Sequence, residues 1–134
     1  MNWCVVRLRC EYQDIAGGNF EMKYMLLIYH DERQFMGLTE DERQEIYRDY
    51  RALREDLTAQ GKFVTGSQLQ AASSARTISV RNGKQMAIDG PFAETKEQLG
   101  GYFLIEVETL REAEDIAARI PSAKTGRVEV RSLV

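Results

Sequence analysis

The sequence has few of the residues that hold small domains together through covalent or metal cross-links. It contains two cysteines, Cys4 and Cys10, and a single histidine among 134 residues. A structural zinc site within one chain needs four ligands, and a disulfide scaffold is typical of shorter, cysteine-rich secreted chains. We therefore expect a domain that rests on an ordinary hydrophobic core, with no metal and no other cofactor.

Long apolar runs and an excess of positive charge are also missing. The longest apolar run, Tyr24 to Tyr29, is much shorter than the roughly 20 residues of a transmembrane helix, and the N-terminus has no signal-peptide pattern. The net charge of −3 argues against sequence-independent nucleic-acid binding. An apolar content of 43% is typical of one globular domain. We expect a cytoplasmic protein that binds neither membranes nor nucleic acid directly.

Residues 1–21 differ in character from the rest of the chain. Gly17-Gly18 is a loop or linker signal, and an apolar segment typical of a first strand begins just after it, at Met22. We predict a domain over residues 22–134. Residues 1–21 are interpreted as an accessory or mis-assigned N-terminal extension, and the alternative is that they add an edge strand.

The remaining sequence divides into strands and helices with recognisable ends. Thr39 and Glu42 have capping-box spacing, Asn82-Gly83 is a hairpin turn signal, and Pro121 is expected to end the second helix. Strands are predicted over 23–30, 62–69, 76–80, 84–88, 100–108 and 127–134, helices over 39–61 and 109–120, and a loop over 30–38.

This order predicts an α+β fold. Without the hairpin of residues 76–88 it is βαββαβ, the ferredoxin-like pattern. Both helices would cover one face of an antiparallel sheet and leave apolar side chains on the other face. Pairing of two copies is the simplest way to cover that face, so we expect a homodimer.

The segment Asp89-Gly90-Pro91-Phe92 lies between two predicted strands and contains one of two prolines. The Asp89 carboxylate could accept turn amides, or it could face a cavity as a general base. Phe92 could anchor the turn in the core or line a cleft. Spacing alone favours a structural turn.

Other candidate site residues lie outside this turn. His30 ends the first strand beside Asp31, so an imidazole–carboxylate pair is one interpretation and a surface histidine is the other. Arg51 or Arg54 could pair with Asp89 or with an anionic ligand, or could belong to a solvated helix face.

The stretch from Asp89 to Tyr102 resembles the signature of the YCII-related, or DGPF-domain, proteins. Segments 22–29 and 126–131 support the resemblance. It implies a ferredoxin-like fold and a dimeric α/β barrel around a cleft, similar to the muconolactone-isomerase type. It also implies a link to extracytoplasmic-function sigma factors, beside which such proteins often occur.

Shorter members of that family carry a His–Asp pair proposed as catalytic, and the matching positions here are Tyr50 and Ile120. Ile120 has no titratable group, so a site in this chain must use other residues. We predict a dimeric small-molecule-binding protein with a cleft near the DGPF turn. Isomerase-type acid–base chemistry is one candidate activity there, and the sequence does not decide whether the protein is an enzyme. The predicted catalytic residues are Asp89 and His30, and the predicted ligand-binding residues are Phe92, Tyr50 and Arg54. The alternatives are a regulatory module that works with a sigma factor and a structural dimer without a ligand.

Overall fold

The computed structural model describes residues 22–134; the predicted extension over 1–21 lies outside the described residues. The strands are β1 (Met22–His30), β2 (Phe63–Gln68), β3 (Arg76–Arg81), β4 (Lys84–Asp89), β5 (Gln98–Val107) and β6 (Arg127–Ser132). The helices are α1 (Glu32–Met36), α2 (Glu40–Ala59) and α3 (Leu110–Arg119), with 3₁₀ turns at Ala72–Ser74 and Pro121–Ala123.

The strands form two antiparallel sheets. The larger sheet has the order β2-β5-β1-β6, and β3 and β4 form a separate hairpin. At the hairpin turn, Asn82 and Gly83 have φ values of 52° and 75°, as the Asn-Gly signal predicted. The ferredoxin-like α+β fold with an extra hairpin is therefore confirmed. None of the helices within residues 22–134 is long and apolar enough to cross a membrane.

The start of α2 is fixed by the predicted capping box. The Thr39 amide donates to the Glu42 carboxylate at 2.7 Å, and the Glu42 amide donates to the Thr39 hydroxyl at 3.2 Å. At the start of α3, Thr109 and Glu112 have the same spacing, but the capping box there is only half formed. Thr109 accepts from the Glu112 amide, but the Glu112 carboxylate accepts from the amide of Glu108.

The loop predicted between β1 and α2 is wrong in part, because Glu32–Met36 form the short helix α1. The Asp31 carboxylate accepts hydrogen bonds from the amides of Arg33 and Gln34, which satisfies donors that the first turn leaves unpaired. Asp31 is therefore the cap of this helix.

The core lies between the large sheet and the two longer helices. Leu57, Ile105 and Ile120 are fully buried. The buried cluster is formed by Tyr24, Leu26, Ile28, Leu53, Leu57, Phe103, Ile105, Val107, Ala113, Ile116, Ala117 and Ile120. Ile46 and Tyr50 lie on the same face of α2 as the buried Leu53 and Leu57. They are only half-buried, because they border a cavity.

Candidate functional site

A cavity of about 330 Å³ lies between α2 and the inner face of the large sheet. Its lining comes from β1, α1, α2, β2, β5 and the 3₁₀ turn after α3. The lining residues are Ile28, His30, Phe35, Ile46, Tyr47, Tyr50, Arg51, Arg54, Ser67, Gln68, Gly100, Gly101, Phe103 and Ser122. This volume falls within the range typical of small-molecule sites.

His30 lies on the same face of β1 as the buried Ile28, and it meets a β-bulge in the neighbouring strand. Ile28 lies opposite Gly101 and Tyr29 lies opposite Leu99, so Gly100 is an extra residue on β5. A Cβ atom added to Gly100 would lie only 2.6 Å from Cδ2 of His30. The imidazole therefore rests against β5 in space that a side chain at residue 100 would occupy.

The imidazole has an aromatic neighbour and a second cavity beside it. The His30 and Phe35 ring centroids are 5.5 Å apart. A neighbouring cavity of about 450 Å³ shares His30, Phe35, Ile46 and Ser122 with the first. These four side chains therefore form a common wall, with the imidazole as its titratable group.

Tyr50 is held in place by a hydrogen bond and by packing. Its hydroxyl lies 2.6 Å from the Oγ atom of Ser122, and its ring meets Phe103 edge-on at 6.2 Å between centroids. Burial raises the pKa of Tyr50, and the hydrogen bond with Ser122 offsets part of that shift. The phenol is therefore protonated at neutral pH and serves as a hydrogen-bonding group in the wall.

The Tyr50→Phe variant removes the hydroxyl, and with it both the hydrogen bond to Ser122 and the titration of the buried phenol. Loss of the hydrogen bond should lower the free energy of unfolding at pH 7 by about 1 kcal/mol. The raised pKa means that the folded protein keeps the phenol proton longer than the unfolded chain. The stability that Tyr50 contributes is therefore present below about pH 10 and lost as the pH rises from there through the folded-state pKa.

Urea unfolding at pH 7 to 11 checks this prediction, with the stability of wild type expected to fall more steeply above pH 10 than that of Tyr50→Phe. The matched control is Tyr47→Phe, since Tyr47 lines the same cavity but its hydroxyl makes no hydrogen bond within residues 22–134. Parallel pH curves for wild type and Tyr50→Phe would contradict the assignment.

Two arginines stand on the open side of the cavity. Arg51 and Arg54 both line it and remain exposed to solvent. The Arg54 guanidinium lies over the ring of Phe63 at 5.6 Å from its centroid. Neither Arg51 nor Arg54 forms an ion pair with a residue of 22–134. Asp56, on the same helix, is paired with Arg119 at 2.6 Å.

The cavity brings together three of the five predicted site residues, His30, Tyr50 and Arg54. It does not include Asp89 or Phe92. Asp89 is exposed and pairs with Arg76 at 2.9 Å, and Phe92 is 92% exposed. The catalytic role of Asp89 and the ligand-binding role of Phe92 remain predictions.

The DGPF turn has a structural basis of its own. Gly90 has a φ of 100°, which favours glycine, and its amide donates to the carbonyl of Ala75 at 2.7 Å. Its carbonyl accepts from the Thr77 hydroxyl at 2.9 Å. The turn therefore ties the end of β4 to the start of β3.

Sequence reasoning missed Phe35, Gly100 and Ser122 as site residues. The glycine pair at the start of β5 was a usable signal, because glycine within a strand often marks a bulge or a close approach. Tyr47, Tyr50, Arg51 and Arg54 also share helical spacing along α2. Nothing in the sequence pointed to Ser122.

The carboxylate position of the family's His–Asp pair falls in the core here. Ile120 is fully buried among apolar side chains of α3 and the sheet, so no acid stands at that place. Within residues 22–134 no three His, Cys, Asp or Glu side chains converge on a possible metal position.

The fold gives the structural class of the protein, and similarity to known proteins gives its family. The architecture is a ferredoxin-like α+β domain with a cavity between helix and sheet. The model of the YCII-related domain matches residues 22–134, and the chain belongs to that family. It is 37% identical over 114 residues to an uncharacterised protein of Rhizobium meliloti (strain 1021), a match that covers 84% of this chain and 92% of that protein.

Proposed function

We propose that this protein binds a small molecule in the cavity between α2 and the sheet. One observation carries the proposal: the imidazole of His30 packs against Gly100 in a cavity that Tyr50 and Arg54 also line. Binding sites typically combine apolar walls with a few convergent polar groups. The two phenylalanines and Ile28 supply such walls here.

The same groups support acid–base chemistry of the isomerase type. A neutral imidazole nitrogen can accept a proton and later donate it, so His30 can take a proton from a bound ligand and return it. The neutral phenol of Tyr50 can donate a hydrogen bond to a ligand oxygen, and Arg54 can hold negative charge. His30 is thus the proposed catalytic residue, with Tyr50 and Arg54 as binding residues.

We further propose that the protein acts as a homodimer formed through the outer face of the large sheet. Five large side chains alternate with the buried ones along β1 and β5 and remain only half-buried: Met25, Leu27, Tyr29, Tyr102 and Leu104. Packing of two such faces would remove a contiguous apolar surface from water, and a symmetric pair closes on itself.

A regulatory module that contacts an extracytoplasmic-function sigma factor is the second proposal. The observation that favours it is the apolar surface of the β3–β4 hairpin, where Ile78, Val80 and Ile88 are each more than half exposed. Phe92 extends the exposed apolar surface. A ligand recovered chemically unchanged after incubation would fit this function better than catalysis.

A fragment screen by native mass spectrometry tests the proposed site. A library of mixed charge is applied to wild type and to Gln68→Trp, which adds a bulky indole at the cavity wall. We expect several fragments to bind wild type and to lose binding at least tenfold in Gln68→Trp, because the indole occupies their space. The same spectra give the oligomeric state, for which we expect a dimer.

Two further variants complete the screen. Gln70→Trp adds the same side chain two residues further on, outside the cavity lining, and should leave fragment binding intact. Asp89→Ala should also leave it intact, whereas selective loss there would put the site at the DGPF turn. Binding unaffected by Gln68→Trp, or no binding in wild type, would contradict the cavity proposal, and a monomer would contradict the dimer.

A further inference from the structure

We infer that the cavity takes small organic acids, with the carboxylate held by Arg51 and Arg54 and an apolar or aromatic body against the phenylalanine walls. This inference rests on the proposed function and names the ligand class for the same cavity. Its basis is the distribution of charge and apolar surface around the cavity.

Charge is the first observation. The described lining includes two guanidinium groups and not one aspartate or glutamate. Arg51 and Arg54 lie three residues apart on α2, so their side chains emerge on the same side of the helix. Elsewhere on this helix, the Asp56 carboxylate is already engaged by Arg119. A ligand carboxylate would therefore meet two cations and no like charge from the lining.

Geometry favours a planar anion. The guanidinium fork matches a carboxylate with two parallel hydrogen bonds. Stacking of Arg54 on Phe63 restricts that guanidinium, which lowers the entropy lost when it binds a ligand. The arginines lie in the middle of α2, far from its N-terminal amides, so the backbone donors typical of phosphate sites do not contribute.

The remaining walls fit an apolar body of limited size. Phe35, Phe103 and Ile28 contribute side chains with no polar atoms. Phe103 is held edge-on by Phe63 at 5.3 Å and by Tyr50 at 6.2 Å between centroids, so its position is fixed before a ligand arrives. The ligand oxygen opposite the carboxylate would reach the phenol of Tyr50 or the imidazole of His30.

Isothermal titration calorimetry with four probes of one shape tests the ligand class: benzoate, phenyl phosphate, benzamide and benzylamine. We expect benzoate to bind wild type at least about tenfold more tightly than benzamide, because charge-assisted hydrogen bonds exceed neutral ones by roughly that factor. Benzylamine should not bind. In the double variant Arg51→Gln/Arg54→Gln, benzoate should lose this advantage over benzamide.

The matched control is Arg48→Gln, which removes an exposed arginine of the same helix that does not line the cavity, and benzoate binding should be unchanged. Equal affinity for benzoate and benzamide would overturn the inference, as would benzoate binding that survives the double variant. Tighter binding of phenyl phosphate than of benzoate would overturn the carboxylate assignment. Neutral fragments that bind and are blocked by Gln68→Trp would leave the cavity proposal standing while the acid class fails.

Discussion

Replacement of Ile120 with aspartate is expected to destabilise the protein by roughly 4 kcal/mol or more at pH 7. Ile120 is fully buried in a core cluster that contains no charged side chain, so a carboxylate there would lose its hydration without an ion-pair partner from that cluster. Such a loss is a large part of the roughly 5–15 kcal/mol that stabilises an ordinary domain. Urea unfolding followed by circular dichroism measures the effect.

The control for this experiment is Ile120→Val, which removes one methylene and should cost only about 0.5–1.5 kcal/mol. The comparison tests whether the family's carboxylate position can hold an acid in this chain. An Ile120→Asp variant as stable as Ile120→Val would show that the position reaches solvent or a polar site, against the structure described here.

The Gly100→Ala variant is expected to displace the His30 imidazole and to cost about 2 kcal/mol of stability. The new Cβ would overlap the ring, with Cδ2 of His30 only 2.6 Å away, and overpacking of this kind typically costs about 1–3 kcal/mol. Because the conflict is with a side chain, the strands can stay paired while the imidazole turns away. Fragment binding in the cavity should weaken with it.

A double-mutant cycle identifies the cause. Gly100→Ala, His30→Ala and the double variant are compared by urea unfolding, and the double variant should be no less stable than His30→Ala alone. Gly37→Ala is the control for a glycine-to-alanine change, since φ there is −77° and the nearest atom to a new Cβ is 3.4 Å away. Additive losses would mean that Gly100 is required for something other than the imidazole.

Much of the fold could be predicted because short-range sequence patterns determine where its helices, strands and turns begin and end. The capping residues at Thr39, the Asn82-Gly83 turn and the alternation along β5 each set a boundary or a face by short-range physics. The βαββαβ order then left few ways to pair the strands. Helix α1 was missed because five residues carry no periodicity, and only its cap, Asp31, was visible in sequence.

The site was less predictable because it depends on contacts between distant segments. The His30 ring has room in the cavity because Gly100 on β5 has no side chain, and Tyr50 is anchored by Ser122, 72 residues later. The DGPF turn was predicted to carry site residues, Asp89 and Phe92, from its sequence alone. In the structure, Asp89 instead pairs with Arg76 across the hairpin, which gives the turn a structural reason.

The most direct test of the central claim is nuclear magnetic resonance of the imidazole during a benzoate titration of untagged protein. His30 is the single histidine of the sequence, so its ring resonances are unambiguous. The account predicts saturable shifts of these resonances that follow the calorimetric binding curve and disappear in Arg51→Gln/Arg54→Gln. Unchanged ring resonances at benzoate concentrations that saturate the calorimetric signal would place the ligand elsewhere and contradict the account.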